Sequence, residues 1–137
     1  MAVFVVDASV ALAWCFADEA TDWSEEFLER LRRGDRIIVP AHWGAEVANA
    51  LLMGARKKRV KPEQPRLLWD ELWLLPIDTE PALTAARGKE VLALGEAHGL
   101  TVYDAAYLEL AHRYGLPLAT LDGDLRKAAQ AKGVPLL

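Results

Sequence analysis

Short, continuously apolar strand segments alternate with helical segments along this chain. Residues 3–6 and 36–40 are rich in β-branched side chains, and a further strand is predicted at residues 116–121. Strands without polar alternation are typical of a parallel sheet that is buried on both faces, because helical crossovers cover it. The pattern therefore predicts an α/β fold, a three-layer α/β/α sandwich with a short, mostly parallel central sheet.

The helical segments are recognised by their apolar periodicity and by their ends. Helices are predicted at residues 8–16, 21–33, from 43 to the basic run at 56–61, 65–75, 81–98, 101–114 and 125–132. Gly99 and Gly115 are expected to end two of them, and Thr101 to cap one. Weaker strands are predicted near residues 75–77 and at 134–137. A length of 137 residues with 53% hydrophobic residues suits one domain, residues 1–137.

Charge and cysteine content exclude some classes of protein. A net charge of −4 argues against a protein that coats nucleic acid without sequence preference, because such proteins need a basic face. The single cysteine, Cys15, has no partner thiol, which fits a reducing cytoplasm. No apolar run approaches the roughly 18 residues of a membrane helix, and Asp7 comes too early for a signal peptide. The sequence predicts a cytoplasmic protein.

Acidic residues follow the predicted strands. Asp7 comes directly after the first strand and Asp122 after the fourth, so their carboxylates meet if these strands are neighbours. Glu46 and Asp104 lie near the starts of two helices and can lean over the same crevice. Four carboxylates in one partly buried site repel one another unless protons or a cation neutralise them. Oxygen ligands suit Mg²⁺ or Mn²⁺, whereas the three histidines are too scattered for a zinc site.

A divalent ion in such a crevice implies hydrolysis of a phosphodiester. The ion can activate a water molecule, orient it for in-line attack and neutralise the charge that develops on phosphorus. The sequence leaves open whether one or two ions act. Each aspartate taken alone has a competing role, because aspartates at strand-to-helix junctions often cap helix N-termini.

Four short motifs occur in a fixed order along essentially the whole chain. They are Val5-Val6-Asp7-Ala8-Ser9-Val10 with Trp14 following, Val39-Pro40 leading to Glu46-Val47-Ala48-Asn49-Ala50-Leu51, Tyr103-Asp104-Ala105-Ala106-Tyr107, and Ala119-Thr120-Leu121-Asp122. Together they resemble the PIN-domain ribonucleases, and within them the VapC toxins of bacterial and archaeal toxin–antitoxin pairs.

The resemblance implies an endoribonuclease that depends on Mg²⁺, for which Mn²⁺ can substitute. It implies that Asp7, Glu46, Asp104 and Asp122 surround the metal and act in catalysis, with Thr120 as a polar neighbour of these ligands. The substrate would be RNA.

Four further features have two readings each. Asp124 either assists the metal through water or caps the last helix. Ser9 and Asn49 can each hydrogen-bond a carboxylate or a phosphate oxygen. Alternatively, Ser9 caps the first helix and Asn49 lies in solvent. The basic run either guides RNA toward the crevice or stabilises its own helix end. Its RNA-binding candidates are Arg56, Lys57, Lys58 and Arg59.

The resemblance also implies protein partners. These are a second copy of the chain, in a homodimer, and a VapB-like antitoxin whose segment lies across an apolar groove and inserts a basic side chain among the carboxylates. The tryptophan-rich stretch Trp69-Leu72-Trp73 is one place for such a groove.

Two other functions compete with the toxin. One is a housekeeping RNA-processing or single-strand nuclease with the same site. The other is a non-catalytic, Mg²⁺-binding, receiver-like signalling domain. The receiver is disfavoured because the first strand ends in one acid instead of a pair. An aspartyl-nucleophile phosphatase would need a second acid where Ser9 stands.

Overall fold

A computed structural model describes residues 1–137. Its strands are β1 (Val3–Val6), β2 (Arg36–Val39), β3 (Ile77–Thr79) and β4 (Leu118–Ala119). Its α-helices are α1 (Ala8–Cys15), α2 (Asp22–Arg32), α3 (Trp43–Arg56), α4 (Gln64–Leu72), α5 (Ala85–His98), α6 (Val102–Tyr114) and α7 (Gly123–Lys132). A short 3₁₀ turn at Ala17–Glu19 joins α1 to α2. None of the helices is both long enough and apolar enough to cross a membrane.

The four strands form one parallel sheet in the order β3-β2-β1-β4. Val5 of β1 pairs with Ile38 of β2 on one side and with Leu118 of β4 on the other. The chain therefore moves outward from β1 through β2 to β3, and then returns to place β4 on the far side of β1. Where the direction of the crossovers reverses, a crevice forms at the carboxyl ends of the strands. Here it lies between β1 and β4.

Helices cover both faces of this sheet, because right-handed crossovers in opposite directions deposit them on opposite sides. Helix α1 packs with α2, α3 and α4, whereas α6 packs with α5, α7, β1 and β4. Trp43, Phe27 and Leu108 are among the largest fully buried side chains of the core. The predicted three-layer α/β/α sandwich with a parallel sheet is confirmed.

The end of the chain contributes less strand than predicted. Of residues 116–121, only Leu118 and Ala119 pair with β1. Pro117 has no N–H to donate, although its carbonyl accepts a hydrogen bond from Val5 N at 2.9 Å. The strand predicted at 134–137 is reduced to a single parallel bridge between Leu136 and Leu118.

Two boundaries in the middle of the chain also differ from the prediction. The weak strand predicted near 75–77 occurs at Ile77–Thr79. The helix predicted from residue 81 begins only at Ala85, because Thr84 caps it by accepting a hydrogen bond from Arg87 N at 3.2 Å. Residues 81–84 are consequently irregular, and Pro81, Ala82 and Leu83 line a cavity together with residues of α6.

Candidate active site

Asp7 is a buried acid at the junction of β1 and α1. Its side chain is 5% exposed and caps α1 by accepting a hydrogen bond from Val10 N. Ser9 Oγ donates to Oδ1 at 2.6 Å, and Thr120 Oγ1 donates to Oδ2. Burial raises the pKa of Asp7 to about 6, with a further contribution from the charge of Asp104, although these hydrogen bonds favour the ionised form.

Thr120 and Ser9 tie the end of β4 to the end of β1. The Thr120 hydroxyl is fully buried and, besides donating to Asp7, accepts from Asp122 N at 3.0 Å. The Ser9 hydroxyl accepts from Leu121 N at 2.9 Å. Thr120 thus lies where the resemblance implied. Of the two readings of Ser9, the structure has the hydrogen bond to a carboxylate, while Asp7 itself caps α1.

Thr120→Val is expected to destabilise the protein by about 2–3 kcal/mol, because the valine keeps the shape but removes a buried donor and a buried acceptor. The carboxylate of Asp7 and the N–H of Asp122 would each lose a partner. Urea unfolding in EDTA measures this loss. Thr21→Val changes an exposed threonine that caps α2, and it serves as a control for the loss of a threonine hydroxyl at the surface. Equal stability of Thr120→Val and wild type would contradict the role of the buried hydroxyl.

Asp104 and Asp122 come from the starts of two other helices. Asp122 caps α7 by accepting from Asp124 N at 3.0 Å, and Asp104 lies in the first turn of α6, which Thr101 caps. Burial and then the charges of Asp122 and Glu46 raise the pKa of Asp104. The negative charges of Asp122 and Glu46 therefore act on the carboxylate of Asp104.

Glu46 reaches the cluster from the first turn of α3. Its Oε1 accepts a hydrogen bond from the Tyr107 hydroxyl at 2.6 Å, and His42 Nε2 lies 3.1 Å from the same oxygen. Burial would raise the pKa of Glu46, but the contacts with His42 and Tyr107 outweigh burial and hold it below its ordinary value. The structure places Asp7 between β1 and α1, and Glu46, Asp104 and Asp122 at the starts of α3, α6 and α7, and the charge of Asp104 interacts with those of the other three acids. Their joint role as metal ligands stays a prediction.

The sequence analysis missed His42 and Tyr107. The ring of His42 packs against Tyr107 at 5.1 Å and against Tyr103 at 5.5 Å between centroids. His42 stands four residues before Glu46, the spacing that puts two side chains on one face of a helix turn, and this was the available signal. Burial and the hydrogen bond to Glu46 raise the pKa of Tyr107, so its hydroxyl stays a proton donor.

Two candidate residues make no side-chain contact with the four acids. Asp124 is exposed, and only its backbone N–H contacts Asp122. Asn49 is exposed on α3, and its side chain makes no hydrogen bond. Their proposed roles at the metal and at a phosphate stay predictions.

The basic run divides into two parts. Arg59 forms ion pairs with Asp18 and Glu19 at 3.0 and 2.8 Å, and its guanidinium lies 4.1 Å from the ring centroid of Phe16. Its charge is therefore already neutralised by two carboxylates, which argues against Arg59 as a contact that attracts RNA phosphates. The other three RNA-binding candidates are exposed and form no ion pair: Arg56, Lys57 and Lys58.

The acid cluster fits a hard cation by the chemistry of its donors. Oxygen ligands from carboxylates are those that Mg²⁺ and Mn²⁺ prefer, and a cation would favour the ionised forms of Asp7 and Asp104, whose pKa values are raised first by burial and then by neighbouring negative charge. In the present conformation no three acidic, histidine or cysteine side chains stand close enough together to coordinate one ion. Asp7 and Glu46 are instead engaged by hydroxyl groups.

Comparison with known proteins identifies the family of this chain. The PIN domain family profile matches residues 4–131. Ribonuclease VapC3 of Pyrobaculum aerophilum is 32% identical over 131 residues, covering 96% of this chain and 98% of the relative. Among solved structures, VapC20 of Mycobacterium tuberculosis, described as a sarcin-ricin loop cleaving toxin, superposes with a TM-score of 0.65 at 17% identity, covering 91% of this chain and 94% of that one.

VapBC2 of Rickettsia felis, solved bound to a DNA fragment from its own promoter, superposes with a TM-score of 0.64. The identity is 19%, and the match covers 98% of this chain and 96% of that one. At such identities the solved structures support the fold alone, whereas the family profile and VapC3 both span nearly the whole sequence. The chain therefore belongs to the PIN domain family, and its relatives by sequence are VapC ribonucleases.

Proposed function

We propose that this protein is a Mg²⁺-dependent endoribonuclease that hydrolyses RNA phosphodiester bonds as the toxin of a toxin–antitoxin pair. The proposal is supported by four carboxylates, one at the end of β1 and three at the starts of α3, α6 and α7, of which Asp104 interacts electrostatically with the other three. Two of these acids also cap helices, but neighbouring negative charges raise the cost of ionising one another, and a bound cation would offset that cost. Its sequence relatives bear the name of ribonucleases.

Asp7, Glu46, Asp104 and Asp122 would hold the ion. When bound, Mg²⁺ would supply positive charge that activates water for attack and stabilises the charge developing on phosphorus. Ser9 and Thr120 fix the orientation of the Asp7 carboxylate by donating to both of its oxygens. Tyr107 donates to one oxygen of Glu46, Oε1, and so restrains that carboxylate. These neighbours hold the acids in place before substrate arrives, which reduces the reorganisation needed at the reaction step.

The proposed partners follow from the site and from the neighbouring structures. VapBC2 is a toxin–antitoxin assembly, and we infer a corresponding antitoxin for this chain. A cationic side chain of the antitoxin would be attracted to the acid cluster and would compete with the metal. We also infer a homodimer and action in the cytoplasm, the compartment that suits the unpaired thiol of Cys15. Co-expression with the product of an adjacent short reading frame should suppress the nuclease.

Incubation of the purified protein with labelled circular RNA tests the reaction itself. A circle has no ends, so only an endonuclease converts it to linear product. We expect linearisation in Mg²⁺ or Mn²⁺ and no cleavage in EDTA. Mapping the cut positions then identifies the preferred sequence. Cleavage that proceeds equally in EDTA, or a circle that survives in Mg²⁺ with pure and folded protein, would contradict the proposal.

A further inference from the structure

A cavity of about 280 Å³ lies beside the acid cluster, and the reaction described above does not use it. It is formed between residues 80–83, residues 40–42 just before α3, and one face of α6 from Val102 to Arg113. Its volume is just below the ~300 Å³ at which pockets for drug-sized molecules begin. The space therefore suits one planar ring system better than a longer ligand or a protein segment.

Aromatic side chains flank this cavity on the side of the acids. Tyr103 lines it and is 62% exposed, although it is a large aromatic residue. The ring of His42 also lines it, lies 5.5 Å from the ring of Tyr103, and brings its Nε2 to 3.1 Å from Glu46. One histidine ring thus contacts both the cavity and a carboxylate of the cluster. An RNA strand whose phosphate lies at the acids would have a neighbouring base within reach of these rings.

The rest of the lining has the composition of a base pocket. Pro81, Leu83 and Val102 provide apolar contact, and Glu80 and Arg113 bring an acceptor and donors to the same cavity. These two polar side chains are held in place: Arg113 lies 3.3 Å from Glu80 and 2.8 Å from the buried Glu109, and Tyr114 donates to Glu80 at 2.8 Å. Aromatic stacking combined with fixed polar groups is how proteins select unpaired RNA bases.

We propose that this cavity binds one unpaired base of the RNA next to the cleaved phosphodiester, with Tyr103 as its stacking partner. The inference rests on the proposed nuclease function and adds a subsite to it. Glu80 and Arg113 contact the edge of the base and set which base is preferred. Tyr103 and Glu80 are thereby specificity-determining residues of the substrate, and they do not take part in the hydrolysis.

Equilibrium binding of labelled single-stranded hexaribonucleotides tests the subsite without cleavage. In one series, each nucleotide in turn carries no base, and titrations are made in EDTA and in Mg²⁺ at low temperature. For the wild type, removing the base at one position should weaken binding about tenfold, the size of one base stacked on an aromatic side chain. Tyr103→Leu should lose this position-specific effect, whereas Tyr103→Phe keeps the ring and should retain it.

The outcomes separate the subsite from the nuclease. Cleavage of RNA with no position sensitive to base removal, or no binding in either buffer, overturns the subsite. Position-specific binding without any cleavage supports the subsite and overturns the proposed function. Glu80→Gln should change which base is preferred at that position while leaving the stacking contribution. A change of Tyr103→Leu from dimer to monomer in sedimentation would instead assign the cavity to a second copy of the chain, and would overturn the proposal.

Discussion

Asp104→Asn is expected to reduce Mg²⁺-dependent RNA cleavage by about a thousandfold, at the upper end of what the loss of one well-placed charge stabiliser costs an enzyme. Asp104 is the acid on which the charges of both Asp122 and Glu46 act, and we therefore expect its carboxylate to contribute strongly to binding of the proposed ion. The amide has the same shape but cannot supply negative charge to a cation. Initial rates on the circular RNA, over a range of Mg²⁺ concentrations, measure the effect.

The matched control is Asp70→Asn. Asp70 is an exposed acid on α4 that makes no hydrogen bond, so the same chemical change there should leave cleavage unaltered. Thermal unfolding of both variants checks that they are folded. Wild-type rates for a folded Asp104→Asn protein would remove Asp104 from the site. Asp124→Asn is a useful comparison, because its exposed side chain leads us to expect a loss of only about tenfold.

Asp7→Asn is expected to abolish cleavage and at the same time to stabilise the fold by on the order of 1–3 kcal/mol at pH 7 in EDTA, the lower part of this range because the amide oxygen accepts only one of the two hydroxyl hydrogen bonds. The pKa of Asp7 is raised from 3.8 to about 6, and each pKa unit corresponds to about 1.4 kcal/mol. The ionised carboxylate therefore opposes folding, and asparagine removes that cost while remaining a good helix cap. Urea unfolding measures the gain, and Asp70→Asn is again the control.

The pH dependence of this gain has a defined sign. A carboxyl whose pKa is higher in the folded than in the unfolded protein takes up its proton on the folded side first, so wild-type stability improves as the pH falls. The advantage of Asp7→Asn should thus be complete above pH 6 to 7 and should disappear near pH 4. Adding Mg²⁺ at pH 7 should narrow it, because only the wild type gains stability from the ion. An advantage independent of pH would show that charge is not its cause.

The positions of Asp7 and Asp122 could be predicted from the sequence because they follow from simple topology. Asp7 and Asp122 end two strands, and parallel neighbouring strands bring their carboxyl ends to one edge. Their competing role as helix caps turned out to be compatible with the site, since both residues cap a helix and lie in the crevice. An N-terminal helix end also favours the negative charge of a cap.

The hydrogen-bond partners of the acids could not be found in the same way. Tyr107 reaches Glu46 across 61 positions of sequence, and Arg59 reaches Asp18 across 41. Neither contact leaves a periodic or compositional trace, because each depends on how two helices or a helix and a turn pack. The basic run therefore looked uniform in sequence, although one of its members is already paired.

The ends of the helices and strands could not be predicted to the residue, because each end depends on single backbone groups. The helix predicted from residue 81 starts at Ala85, since Thr84 supplies the cap. Pro81, Ala82 and Leu83, which the prediction placed in the helix, instead line the cavity beside Tyr103. Pro117 has no N–H and so shortened the pairing of β4. The alternation of strands and helices fixes the layers, but it is insensitive to which of several neighbouring residues makes the terminal hydrogen bond.

The bond between Thr120 and Asp7 spans 113 positions and has a consequence for how the protein is made. A growing polypeptide presents β1 more than a hundred positions before Thr120 and Asp122 are synthesised. At about 5–20 residues per second, Asp7 waits many seconds for its partner. A nascent chain that ends before Thr120 therefore lacks part of the proposed nuclease site, and we expect the messenger that is being read to be spared over that stretch of synthesis.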